Sequence, residues 1–169
     1  MPKRRKKGRA VAQHEPSAVQ QFIAGLDDAD RIEIAALEGR SLDLKQTGPA
    51  AANMARPGEP RGGLLDSLRT WQWLIEAMEG GWTAPSTSIV YEYLNELTAR
   101  DRLEGLRRGM RDPLRHKFDR LLADLDQRFR ARTFHDHGEE LAQYWKPLAE
   151  GREARWYWLR RPITLPLIW

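Results

Sequence analysis

One stretch limits the fold more than any other: Asp112–Thr133, DPLRHKFDRLLADLDQRFRART. Leu114, Phe118, Leu121, Leu122, Leu125 and Phe129 recur at steps of three and four. At about 100° per residue they fall inside an arc of roughly 100°. Such a stripe must be buried on one side and wetted on the other, which describes a helix laid against a core. Asp112 fits the cap of that helix, and Pro113 its first position, where a missing N–H leaves nothing unpaired. On the far side Arg115/Asp119, Asp124/Arg128 and Asp126/Arg130 stand four residues apart. Local ion pairs on a solvated face are therefore expected, ahead of a partner-binding face.

The other periodic segments point the same way. Leu64, Leu68, Trp71, Ile75 and Met78 form a heptad-like seam that Gly80–Gly81 should stop. Ile89, Val90, Tyr93, Leu94 and Leu97 make a second stripe, but Leu103, Leu106 and Met110 fall out of phase with it. Thr98 and Asp101 have capping spacing, so a break near Thr98–Arg102 is expected. Nearer the start, Ser17 and Gln20 have capping-box spacing before Val19, Phe22, Ile23 and Leu26. Asp27 or Asp28 can cap a second short helix to about Leu37, with Ile32, Ala35 and Ala36 inward and Gly39 as its end. Glu139–Leu148 reads as one more short helix, limited by Pro147.

The last stretch, ARWYWLRRPITLPLIW, cannot be a regular helix because of Pro162 and Pro166. Trp156/Trp158 and Tyr157/Leu159 alternate as in a strand, yet no second strand is evident to pair with. The fold class expected is all-α: a multi-helix bundle with a disordered basic N-terminal arm and an extended C-terminal strap. Residues 1–15 would be the arm, 16–40 a short helical hairpin, 41–63 a flexible Pro/Gly linker, and 64–169 the bundle with its strap.

Charge layout matters more than its sum. Residues 1–9 carry +6, residues 10–99 carry −7, and residues 100–169 carry +5. The high pI therefore reflects the arm and the C-terminal part. After residue 9 there are nineteen arginines and three lysines. Alongside abundant Ala and Gly this fits a coding bias, so arginine richness alone is no sign of phosphate binding. Cysteine is absent, which excludes disulfides, thiolate metal sites and a Cys nucleophile. No apolar run reaches the ~20 residues of a membrane span, and no apolar signal core follows the basic start. A soluble protein in the cytoplasm is the expectation, with no membrane partner.

Chemistry-bearing motifs are sparse. His135, Asp136 and His137 form the one cluster resembling a metal site, and they are weak candidates. One H-x-H supplies two ligands, so the favoured role is a turn in which Asp136 or His137 caps the next helix. There is no phosphate loop, H-E-x-x-H or G-x-S-x-G. Catalysis is disfavoured, and neither a cofactor nor a metal is expected. No family resemblance is evident.

Two non-enzymatic functions come ahead of a metal-dependent hydrolase using His135, Asp136 and His137, which is the least favoured reading. In the first, an accessory protein binds nucleic acid or a nucleoprotein partner. Lys3, Arg4, Arg5, Lys6, Lys7 and Arg9 of the arm would hold phosphates, with Arg155, Trp156, Trp158, Arg160 and Arg161 mixing cations and stacking faces. Against that stands core packing of the same aromatic residues, which is favoured. In the second, a helical protein–protein or oligomerisation module uses Trp73, or Leu167, Ile168 and Trp169, as its contact.

Overall fold

The computed structural model describes residues 15–47, 63–82, 90–151 and 153–165, with side chains to residue 39 in the first of these segments. The arm cations, most of the linker, and Leu167, Ile168 and Trp169 lie outside the described residues. Within them the chain is mainly helical: α1 (Ala18–Ala24), α2 (Asp28–Thr47), α3 (Leu64–Glu79), α4 (Val90–Arg107), α5 (Asp112–Arg132), α6 (Glu139–Ala142) and α7 (Lys146–Ala149). Strands β1 (Thr133–His135) and β2 (Arg160–Pro162) form one antiparallel ladder, and a 3-10 turn at Trp156–Leu159 precedes β2. The all-α expectation holds.

The core is a layer of α3, α4 and α5. All six residues of the α5 stripe are buried, as is the α3 seam from Leu64 to Met78. Trp71 packs on Phe129 at 4.6 Å between ring centroids and on Tyr157 at 6.1 Å, linking helix layer to closing segment. The α5 helix begins one residue early: Asp112 is inside its first turn, ion-paired with Arg115, and Arg111 holds the cap position.

The N-terminal hairpin is docked on this layer. Ser17 and Gln20 close the capping box, and the Val19 N–H donates to Gln72 Oε1 at 3.0 Å. Phe22 meets Phe118 edge-on at 6.3 Å. Asp27 and Asp30 accept each other's backbone N–H at the start of α2, and both take the ammonium of Lys117 from α5. The expected face of α2 is wrong. Ile32 is 70% exposed and Ala35 and Ala36 are exposed, while Asp30, Glu33, Ile34 and Leu37 face in.

Charge explains that choice of face. Glu33 Oε1 accepts the Arg111 N–H at 2.6 Å, capping α5, and Glu38 Oε1 accepts the Leu64 N–H at 2.6 Å, capping α3. Orphan N–H groups at a helix start carry partial positive charge, so carboxylates belong there. Gly39 does not stop α2, which runs on to Thr47.

Three further expectations are corrected. First, α4 is unbroken through Thr98–Arg102. The step that looks out of phase is filled by Arg100, 4% exposed, whose guanidinium forms two hydrogen bonds to Asp126 at 3.0 and 2.8 Å. Second, the expected local ion pairs of α5 give way to pairs between helices: Asp119 with Arg107, Arg128 with Glu79, and Asp126 with Arg100. Third, the segment with alternating aromatics is a 3-10 turn, and the strand that follows it does find a partner in β1. No helix of the described residues is long and apolar enough to cross a membrane.

Candidate nucleic-acid interface

The closing segment is organised by a carboxylate that sequence reasoning took for a helix cap. Asp101 on α4 accepts the Tyr157 hydroxyl at 2.5 Å and the Trp158 indole N–H at 2.9 Å, and pairs with Arg155 at 3.5 Å. Burial raises the Tyr157 pKa first, and its bond to Asp101 raises it further, so the phenol stays a donor. Trp158 is 2% exposed and stacked on Trp145, with centroids 3.8 Å apart. Its ring faces are thus taken up by the core. Arg155 is held by Asp101 and Tyr157.

The chain then returns beside α5. Thr133 faces Pro162, Phe134 faces Arg161, and His135 faces Arg160 across the ladder. Arg160 Nε donates to Thr133 Oγ1 at 2.8 Å, its Nη2 donates to the Thr133 carbonyl at 2.7 Å, and its own carbonyl accepts the Tyr93 hydroxyl. Burial lowers the Arg160 pKa, and the neighbouring Arg130 charge adds to that effect. Phe134 is 38% exposed, with the Arg161 guanidinium over its ring at 4.4 Å. On the last turn of α5 the exposed Arg130 lies over Trp156 at 3.9 Å, and Arg132 is exposed. Trp156 is wedged edge-on against Phe129 at 5.9 Å.

Four arginines lie at the junction of α5 with the ladder: Arg160 sits beside Arg130, its Nη2 3.4 Å from the Arg130 carbonyl, while Arg161 is on the other face of the ladder and Arg132 on another side of α5. None forms a salt bridge among the described residues, whereas Arg100, Arg107, Arg111, Arg115, Arg128 and Arg155 all do. Cations in the last turn of a helix complement its dipole by about 0.3–1 kcal/mol each. That accounts for Arg130 and Arg132 but not for the pair on β2. Sequence reasoning named Arg160 and Arg161 and missed Arg130, because only the ladder brings Arg160 beside the last turn of α5.

The histidine cluster is a capping turn. Asp136 Oδ1 accepts the Gly138 N–H at 2.9 Å and its Oδ2 the Glu140 N–H at 3.2 Å, starting α6. His135 and His137 are exposed, with rings 4.4 Å apart. Among the described residues no group of three or more His, Asp or Glu side chains is placed to hold a metal. Trp73 is half-buried on α3. An open groove between α1 and α5, lined by Phe22, Leu121, Lys117, Arg120 and Asp124 among others, has no histidine or serine among the described residues of its lining. The chain matches no family model, and no curated protein or solved structure is detectably similar to it.

Proposed function

We propose that this is a non-enzymatic accessory protein that binds nucleic acid, free or within a nucleoprotein, through the basic N-terminal arm and the arginine end of the bundle. The observation that carries the proposal is that Arg130, Arg132, Arg160 and Arg161, at the junction of α5 with the ladder, form no carboxylate salt bridge among the described residues, with Arg160 set beside the Arg130 carbonyl. Cations without a salt bridge to a carboxylate suit a phosphate backbone. The arm, with six Lys or Arg in nine residues, adds affinity without sequence preference. A cytoplasmic location belongs to the same proposal.

The test compares wild type, a variant lacking residues 1–9, and Arg132→Glu/Arg161→Glu in DNA and RNA binding across a salt series. Each lost phosphate contact flattens the slope of log affinity against log salt by about one. Both variants are expected to bind more weakly and with flatter slopes. Identical weak binding by all three proteins rejects the proposal.

A protein-binding module is the second reading. Ile163 is 61% exposed, and Leu165 is exposed too, where the described chain leaves the bundle. Sedimentation of wild type against a truncation of residues 163–169 tests it, and an unaltered monomer in both, with no captured partner, sets it aside.

A further inference from the structure

We infer that residues 160–165 form a releasable strap: they lift from β1 as a unit about Leu159 while the bundle behind them stays folded, and in lifting they free Arg160 to bind phosphate. The phosphate clause rests on the nucleic-acid proposal above; the lifting stands apart from it.

The C-terminal segment divides at Leu159. Before it, Tyr157 and Trp158 are buried and tied to Asp101. After it, Pro162 alone is buried, and Ile163, Thr164 and Leu165 are exposed. Residues 160–165 are held mainly by polar contacts. The ladder is three residues long in each strand. The Asp136 N–H donates to the Leu159 carbonyl at 3.2 Å, and the Ile163 N–H to the Arg132 carbonyl at 2.9 Å. The Tyr93 hydroxyl donates to the Arg160 carbonyl, and the Trp82 indole N–H to the Thr164 carbonyl at 2.6 Å. Water replaces such bonds at little net cost, and lifting the segment exposes little apolar surface.

The last of these contacts is strained. The end of α3 is already complete without it: the Gly81 N–H reaches the Met78 carbonyl and the Trp82 N–H the Ala77 carbonyl. Gly81, at φ 69°, is the one left-handed residue such an ending needs. Trp82 is left-handed too, at φ 60°, which the ending does not require and a bulky residue adopts only at a cost. That conformation accompanies the indole bond to Thr164. The closed strap therefore carries strain that is relieved when Thr164 leaves and Trp82 relaxes, which brings the open and closed states closer in free energy. Closed, the strap also occupies Arg160, whose Nε and Nη2 donate to oxygens of Thr133 and Arg130. Open, those donors are available to a phosphate.

Amide hydrogen exchange of the full-length protein, without nucleic acid, tests the lifting. Asp136 and Ile163 report the two ends of the strap, and the buried Leu125 of α5 reports the bundle. In wild type the two strap amides are expected to exchange together, on the order of a hundredfold faster than Leu125 and with little dependence on urea. Trp82→Phe keeps an aromatic ring and removes the indole N–H. It should speed Asp136 and Ile163 equally, by about fivefold relative to Leu125. Strap amides as slow as Leu125 overturn the inference. So does a Trp82→Phe effect at Ile163 that does not reach Asp136, which is fraying rather than lifting. If Trp82→Phe fails to fold by circular dichroism, the wild-type rates and their urea dependence decide. For the phosphate clause, Trp82→Phe should bind a labelled DNA duplex more tightly than wild type, by up to about fivefold, and Arg160→Gln should cancel the gain. Unchanged binding overturns that clause and leaves the lifting standing, and no binding by wild type removes the clause together with the proposal beneath it.

Discussion

Asp101 holds Trp158 by a single hydrogen bond, indole N–H to carboxylate at 2.9 Å, and with its other oxygen holds Tyr157 at 2.5 Å. One side chain on α4 thus fixes two consecutive aromatics of the segment that closes the bundle. Asp101→Ala would strand a buried indole N–H and a buried hydroxyl. The expected loss is about 2–6 kcal/mol, at roughly 1–3 kcal/mol for each of the two buried groups left unsatisfied. Asp101→Asn keeps an acceptor and loses the charge that faces Arg155, so it should cost about half as much. Urea unfolding followed by tryptophan fluorescence gives both values. A loss below 1 kcal/mol for the alanine variant would mean the segment is held by packing alone.

Arg100 and Asp126 form the other buried link, between α4 and α5, with side chains 5% and 10% exposed. Burial works against the Arg100 charge, yet the bond to Asp126 and its charge leave the arginine pKa above its ordinary value. Removing one partner leaves the other charged and dry, so Asp126→Ala or Arg100→Ala should each cost about 3–5 kcal/mol. Replacing both, as Arg100→Met with Asp126→Leu, should recover most of that loss, since apolar isosteres often equal a buried pair. A double-mutant cycle in thermal melts reads the coupling. Additive single losses would show the two residues acting independently.

These two links also mark where sequence reasoning stops. The α5 stripe was legible because six apolar residues declare a face without reference to anything else. The charged residues declare nothing of the kind. Asp119, Asp126 and Arg128 each had an oppositely charged residue four positions away, and each pairs instead with a residue on another helix. Arg100 made α4 look broken because a periodicity count treats arginine as surface. On α2 the apolar residues Ile32 and Ala36 competed with Ile34 and Leu37, and the decision fell to Glu33 and Glu38, whose partners are 78 and 26 residues away. The arginine end was half legible for the same reason: a composition of Trp, Tyr and Arg describes a stacking surface and a core lid equally well. Only the folded chain separates Arg161, half-buried over Phe134, from Trp158, stacked on Trp145 in the core.

The caps supplied by α2 give a separate prediction. Glu33 and Glu38 reach across to the first N–H groups of α5 and α3, at 2.6 Å in each case. A carboxylate at a helix start contributes about 0.5–2 kcal/mol through its hydrogen bond and the helix dipole. Glu33→Ala and Glu38→Ala should each destabilise by that amount and speed amide exchange at the start of the helix concerned. Gly63 belongs to the same contact, because a Cβ there would collide with the Glu38 carboxylate. Gly63→Ala should therefore mimic Glu38→Ala. Unchanged exchange at Leu64 in both variants would count against a capping role for Glu38.

The last prediction concerns acid groups in the wrong place. Glu92 and Glu96 stand one turn apart on α4, and one oxygen of each is buried with no hydrogen-bond partner among the described residues. Burial, and then the Glu92 charge, push the Glu96 pKa from 4.5 up to about 7, with Arg102 pulling the other way. A carboxyl whose pKa is raised by folding is protonated more readily in the folded chain than in the unfolded one. Its penalty is absent below 4.5, grows as the unfolded chain ionises, and is complete above about 7. Stability should thus fall between about pH 4.5 and pH 7 by about 1–2 kcal/mol, since solvent screens part of the charge on this half-buried group. Glu96→Gln should erase that fall, being near neutral at about pH 4.5 and stabilising at about pH 8. Glu92→Gln should shift the fall to lower pH by removing the like charge. Urea midpoints at the two pH values measure this directly, and a Glu96→Gln effect of equal size at both would show that the carboxyl ionises normally in the fold.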